Sequence, residues 1–227
     1  MVAALDWVAK SKAANNTALQ RSTPDKWELC AYQTIMKKSK NSSLEQSYRP
    51  LLEAVAFASR AHEGQRRKDG RTPYASHVVR VCLILRHVFG IDDPQALTAA
   101  VLHDTLEDTT TDFDDLEEKF GADVARWVAA LSKDKRLPEK EREAAYVERL
   151  AGAPWQVKVS KLADIFDNVM DSTLSRPQDR SHVYKRAHQY LEALKQNLPE
   201  QAHQPWAVVS ELLAEIEAGE AGRAGGA

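Results

Sequence analysis

Apolar positions recur at helical spacing in nearly every informative segment of the chain, and no sustained alternation marks a strand. In SYRPLLEAVAFASRAH, Leu51, Val55 and Ala58 share one face, while HVVRVCLILRHVF is apolar almost all round, which predicts a central buried helix. The next helix has its start written into it. Asp92 or Asp93 caps the free backbone N–H groups, Pro94 suits the first turn, and Leu97, Ala100 and Val101 lead straight into His103-Asp104. Thr111 with Asp114 predicts a capping box for DFDDLEEKF. Gly121 ends that helix, and ADVARWVAALS resumes with Val124, Trp127, Val128 and Leu131 on one side. After a polar link, KDKRLPEKERE, the segment PWQVKVSKLADIFDNVMDS sets Leu162, Ile165, Phe166 and Val169 on an apolar stripe. Asp164, Asn168 and Asp171 form a polar stripe beside it. Further helices are expected around 180–197 and 205–217, and the fold class is all-α.

This pattern divides the chain. Residues 1–45, including a helix predicted in WELCAYQTIMKK, form an N-terminal helical extension without identifiable chemistry, and 46–200 form the main domain. Residues 201–218 are expected to be a helix packing on that domain, and 219–227, GEAGRAGGA, a disordered tail with nothing to pack.

Composition narrows the function classes. With 227 residues, 43% hydrophobic and 28% charged, the chain can bury a core as an ordinary soluble globular protein. A formal net charge of -2 gives no global basic field for a nucleic-acid backbone, though a small anion in a local basic pocket is compatible with it. Two cysteines are too few for a disulfide scaffold, and Cys82 sits in an apolar run where a buried reduced thiol is expected. No apolar run approaches the ~18 residues needed to span a bilayer. The N-terminal apolar patch is too short for a signal peptide, so the expected location is cytoplasmic, with neither membrane nor nucleic acid as partner.

The chemistry concentrates in AAVLHDTLEDTT. On a helix, groups one turn apart share a side, so His103 lies beneath Glu107 and Asp104 beneath Asp108. Imidazole and carboxylate are ligands for Mn²⁺, Zn²⁺ or Fe²⁺, and donors on other helices, His77 and Asp164, complete an N₂O₂ set. Glu107 and Asp108 are then placed to orient a water or take its proton, the water pKa being lowered by a cation from about 15.7 to around 7. That combination is hydrolysis machinery.

Four blocks in order, AHEGQRRKDGRTPYASH, LTAAVLHDTLEDT, FGADVARWVAALSKDKRLP and VKVSKLADIFDN, resemble the hydrolase domain of the RelA/SpoT stringent-response proteins. The likeness is greatest to the stand-alone small alarmone hydrolases of the metazoan SpoT-homologue type. It implies an HD-superfamily helical domain and Mn²⁺-dependent removal of pyrophosphate from the 3′ position of ppGpp or pppGpp. By position it implies His77, His103, Asp104 and Asp164 as metal ligands and Glu107 and Asp108 as the catalytic acidic pair. It also implies substrate contacts from Arg67, Lys68, Lys135, Asn168, Arg186 and Tyr190. A multiply charged nucleotide needs such donors to offset repulsion from the acidic pair. The chain departs from the family pattern in having Val78 after His77 where proline is usual, and Asp167 and Met170 where Tyr and Arg are frequent. Two other readings stay open: the same metal site acting on an adenine alarmone or on the 2′-phosphate of NADPH, and a catalytically idle nucleotide-binding module.

Overall fold

A computed structural model describes residues 43–173 and 177–224. The chain divides into two units, Met1–Glu45 and Gln46–Ala227, and the described residues belong almost wholly to the second. The helix expected in WELCAYQTIMKK, and nearly all of the N-terminal extension, lie outside the described residues.

The described residues of the second unit form helices joined by loops. In chain order the helices are α1 (Ser43–Ala61), α2 (Ala75–Leu83), which widens into a π-helical turn at Ile84–Val88, α3 (Pro94–Leu102) and the single turn α4 (Thr105–Asp108). Then come α5 (Phe113–Phe120), α6 (Ala122–Leu131), α7 (Glu139–Ala151), α8 (Trp155–Ser172), α9 (Pro177–Lys195) and α10 (Glu200–Ala224). No β-strand occurs among the described residues; an isolated bridge between Arg66 and Pro73 pins the α1–α2 loop.

Two helices carry the core. In α3 every residue from Ala96 to Leu102 is buried, and α8 buries Val157, Val159, Leu162, Ala163, Ile165 and Val169. Each fully buried aliphatic side chain of this kind contributes about 1.5–3 kcal/mol of transfer free energy. The run HVVRVCLILRHVF is less central than its composition predicts. Its inner face, Val78, Val81 and Leu85, is fully buried, but Leu83 and Val88 are 49% and 42% exposed. Cys82 is buried and unpaired, and burial pushes its thiol pKa up to about 11, which makes it unreactive.

Local signals account for the helix ends. Asp93, not Asp92, caps α3 by accepting the Ala96 N–H. The capping box of α5 lies one residue later than Thr111–Asp114: Asp112 and Asp115 bond reciprocally. Gly121 separates α5 from α6 at φ 86°, ψ 159°, a region essentially closed to residues with a Cβ. No atom would meet a Cβ added there, so a side chain at this point costs backbone strain alone.

Two expectations fail instructively. Half of the polar link is helix: α7 spans Glu139–Ala151 and buries only Tyr146 and Leu150, too narrow a stripe to read against its charges. Helix α10 continues to Ala224, through most of the stretch expected to be a tail, with only 225–227 outside the described residues. It packs through Ala202, Val209 and Leu213, and the Trp206 indole N–H donates to the Leu191 carbonyl.

Candidate metal centre and cleft

The expected continuous helix through LHDTLED is broken. Helix α3 ends at Leu102, His103 and Asp104 form a turn, and α4 restarts at Thr105 with the Asp108 N–H bonded to the Asp104 carbonyl. The break turns His103 inward. Its Nδ1 lies 2.8 Å from the Ala100 carbonyl, which places the ring proton on Nδ1 and leaves a lone pair on Nε2.

His77 reaches the same place from the first turn of α2. Its Nδ1 lies 2.6 Å from Asp167 Oδ2, so Nδ1 carries a proton and Nε2 is the atom turned toward the centre. Nε2 of His77 is 3.2 Å from Asp164 Oδ1 and 3.6 Å from Asp104 Oδ2. For His103 Nε2 the distances are 3.7 Å to Asp164 Oδ1 and 2.9 Å to Asp104 Oδ2. Ligand atoms of His77, His103 and Asp164 lie within 4.8 Å of one another, and Asp104 Oδ2 lies beside both imidazoles. With the Nδ1 positions committed to Asp167 and the Ala100 carbonyl, both Nε2 atoms face the carboxylates of Asp104 and Asp164.

That arrangement fits a divalent cation. His103 Nε2 is buried and faces only carboxylate oxygens, Asp104 Oδ2 at 2.9 Å and Asp164 Oδ1 at 3.7 Å, an arrangement that a cation between them would satisfy. The N₂O₂ donor set is of borderline hardness, suited to first-row metals. Surrounding groups fix it further. Tyr74 donates its hydroxyl to Asp104, Lys161 Nζ holds Asp164 Oδ2 at 2.6 Å, and Asn168 Nδ2 donates to Asp164 Oδ1 at 2.6 Å.

Protons compete with a cation for these ligands. Burial opposes protonation of His77, but its hydrogen bonds to Asp164 and Asp167 outweigh burial and raise its pKa. Burial is likewise outweighed in His103, chiefly by the Asp104 carboxylate, and its pKa is well raised. In the metal-free protein the imidazoles therefore hold protons above their ordinary range, and a cation must displace them. Cation affinity should consequently strengthen as pH rises through the raised imidazole values, with protons released. Calorimetric Mn²⁺ titration in buffers of different ionisation enthalpy reads that release; affinity independent of pH would contradict it.

A cleft of about 860 Å³, measured out to solvent, opens over this centre. Its lining includes both histidines' neighbours Asp104 and Asp164, the acidic residues Glu107 and Asp108, and the cations Lys68, Lys133, Lys161 and Arg186. Glu107 Oε2 accepts the Lys133 backbone N–H at 2.9 Å. Burial, helped by the charges of Asp104 and Asp108, raises the Glu107 pKa despite that bond. Asp108 is held at both ends: its carbonyl accepts from Gln65 Nε2, and its carboxylate pairs with Lys135.

The expected substrate contacts fall into two groups. Lys68, Asn168, Arg186 and Tyr190 line the cleft, and Lys68 is exposed there on the tip of the α1–α2 loop. Arg67 instead turns behind the cleft wall, donating to Asp171 and to Asn168 Oδ1, and Lys135 spends its charge on Asp108. Arg186 pairs with Glu139, and the Tyr190 hydroxyl donates to Glu143 at 2.7 Å. Glu143 also takes Lys133 Nζ at 3.0 Å, so one carboxylate gathers three cleft groups.

Sequence reading missed Tyr74, Lys133, Glu143, Lys161 and Asp167. A signal existed for Lys161, three residues before Asp164 on one helix, the spacing of a contacting ion pair. The other four make contacts distant in sequence, Tyr74 with Asp104, Lys133 with Glu107 and Glu143, Glu143 with Tyr190 and Asp167 with His77, which no linear spacing reveals.

The HD domain family matches residues 54–187 of this chain. The guanosine-3′,5′-bis(diphosphate) 3′-pyrophosphohydrolase MESH1 of Danio rerio is 44% identical over 143 residues, covering 63% of this chain and 78% of that protein. The human MESH1 is 44% identical over the same length, with 79% of it covered. Among solved structures, one described as a metazoan ortholog of SpoT that hydrolyses ppGpp superposes with a TM-score of 0.67 at 30% identity. It covers 74% of this chain and 96% of that one. Among the described residues, no helix is long and apolar enough to cross a membrane.

Proposed function

The chain belongs to the HD domain family, and from that premise we propose that it is a guanosine-3′,5′-bis(diphosphate) 3′-pyrophosphohydrolase, with Mn²⁺ as its cation and ppGpp or pppGpp as its substrate. The observation that carries the reading is the convergence of two buried imidazole Nε2 atoms and two carboxylates at the floor of a cleft holding Glu107. The liganding set is His77, His103, Asp104 and Asp164. A cation held there supplies Lewis acidity toward a phosphoryl oxygen and lowers the proton affinity of a neighbouring water.

The chain's own groups do the rest. Glu107 takes the proton of the attacking water. Its raised pKa makes it a better base than an ordinary carboxylate, and the Lys133 N–H fixes one of its oxygens so that the other faces the cleft. Asp108 acts beside it by holding Lys135 at the cleft edge, where that lysine can exchange its carboxylate partner for a phosphate. Lys68 and Arg186 bind the outer phosphates, and Asn168 and Tyr190 position the nucleotide. The water oxygen bonds to the phosphorus attached to the ribose 3′ oxygen, the P–O3′ bond breaks, and the ribose oxygen leaves as a hydroxyl with a proton from solvent, to which Glu107 returns the one it took. Products are GDP or GTP and pyrophosphate.

A substrate panel tests the assignment. With Mn²⁺, ppGpp and pppGpp should each yield one pyrophosphate on ion-exchange chromatography, faster than ppApp yields it or NADPH yields phosphate. Preference for NADPH or ppApp would transfer the site to those substrates, and no turnover of any would leave a binding module.

A further inference from the structure

Behind His77 stands a carboxylate that the reaction does not use. Asp167, one turn beyond Asp164 on α8, is 4% exposed and touches no part of the cleft. Its Oδ2 sits 2.6 Å from His77 Nδ1. Both of its oxygens are gripped by Arg80, Nε to Oδ1 at 2.7 Å and Nη2 to Oδ2 at 2.9 Å, a fork that fixes the plane of the carboxylate. Arg80 and Arg67 then share Asp171, Arg67 donates to Asn168, and Asn168 donates to Asp164. Two of the liganding side chains, His77 and Asp164, are thus joined by a continuous chain of charged hydrogen bonds behind the centre. His103 has only a backbone carbonyl in the corresponding place.

We propose that Asp167, clamped by Arg80, is the positioning residue for the cation site, holding the His77 proton on Nδ1 so that Nε2 is presented as a ligand. The inference rests on the metal-site reading above. Physically, a carboxylate behind a liganding imidazole orients the ring, selects its tautomer and increases its donor strength. An amide in its place has no net charge and can turn its N–H toward Nδ1, which would put the ring proton on Nε2, facing the cation.

Calorimetric Mn²⁺ binding tests this, with the melting temperature of the metal-free protein as a check on folding. Asp167→Asn should weaken Mn²⁺ binding about 10–100-fold, the usual effect of losing such a partner. The Mn²⁺ concentration for half-maximal turnover should rise by the same factor. Arg80→Gln, which loosens the clamp but leaves the carboxylate, should weaken binding by a smaller factor, and it carries the test if Asp167→Asn does not fold. Folded variants that bind Mn²⁺ within about twofold of the unaltered protein would overturn the proposal while leaving the metal site intact. Absence of Mn²⁺ binding in the unaltered protein would overturn the metal-site reading itself, and this inference with it.

Discussion

Replacing Glu107 by Gln together with Asp108 by Asn should leave a folded protein that still binds Mn²⁺ but hydrolyses ppGpp about 10³–10⁴-fold more slowly. The size follows from what the two carboxylates do. A positioned general base contributes about 10²–10⁴-fold, and the second carboxylate holds a lysine needed for the charge of the transition state. Neither side chain belongs to the liganding set, so calorimetric Mn²⁺ affinity should change little. The single variants should differ. Glu107 carries the raised pKa and has one oxygen fixed by the Lys133 N–H, so Glu107→Gln should remove most of the turnover. Asp108→Asn loses its ion pair with Lys135 and should be the milder. Equal turnover in the double variant and the unaltered protein would remove both residues from the mechanism.

His103→Ala should abolish turnover through the cation. Among the described residues, His103 supplies one of only two imidazole nitrogens that face the centre, and no neighbouring donor stands where it could replace it. Losing a direct ligand should exceed the ~10–100-fold typical of an outer partner, giving a loss on the order of 10³-fold or more in Mn²⁺ affinity. Stability should respond differently. The substitution leaves a cavity but also removes the need to desolvate a buried imidazole, two effects of opposite sign. The melting temperature of the metal-free variant should therefore move little, whereas the stabilisation the unaltered protein gains from added Mn²⁺ should vanish. A variant still stabilised by Mn²⁺ would take His103 out of the liganding set.

Much of this was legible in the sequence because it is local. The Asp93 cap with Pro94, the Gly121 break and the two stripes of α8 each depend on residues within a few positions of one another. That His77, His103, Asp104 and Asp164 come together was also readable, from restrictive donor chemistry and from the family resemblance. What spacing could not supply was the turn at His103-Asp104, where tertiary packing ends a helix that local propensity would continue. Helix α7 was hidden because two buried side chains satisfy it. Arg67 and Lys135 were readable as cations near the site. Which acids they meet depends on how α8 and α4 approach their loops. Asp167 stood out only as an unexpected residue type, and its grip on His77 spans ninety positions of sequence.

The most direct measurement is hydrolysis of ppGpp in ¹⁸O-labelled water with Mn²⁺, followed by ³¹P NMR. Attack at the phosphorus bonded to the ribose 3′ oxygen predicts GDP and pyrophosphate in equal amounts, with the label in pyrophosphate alone and no reaction after chelation. Orthophosphate as the first product, label in GDP, or turnover that survives chelation would contradict the account.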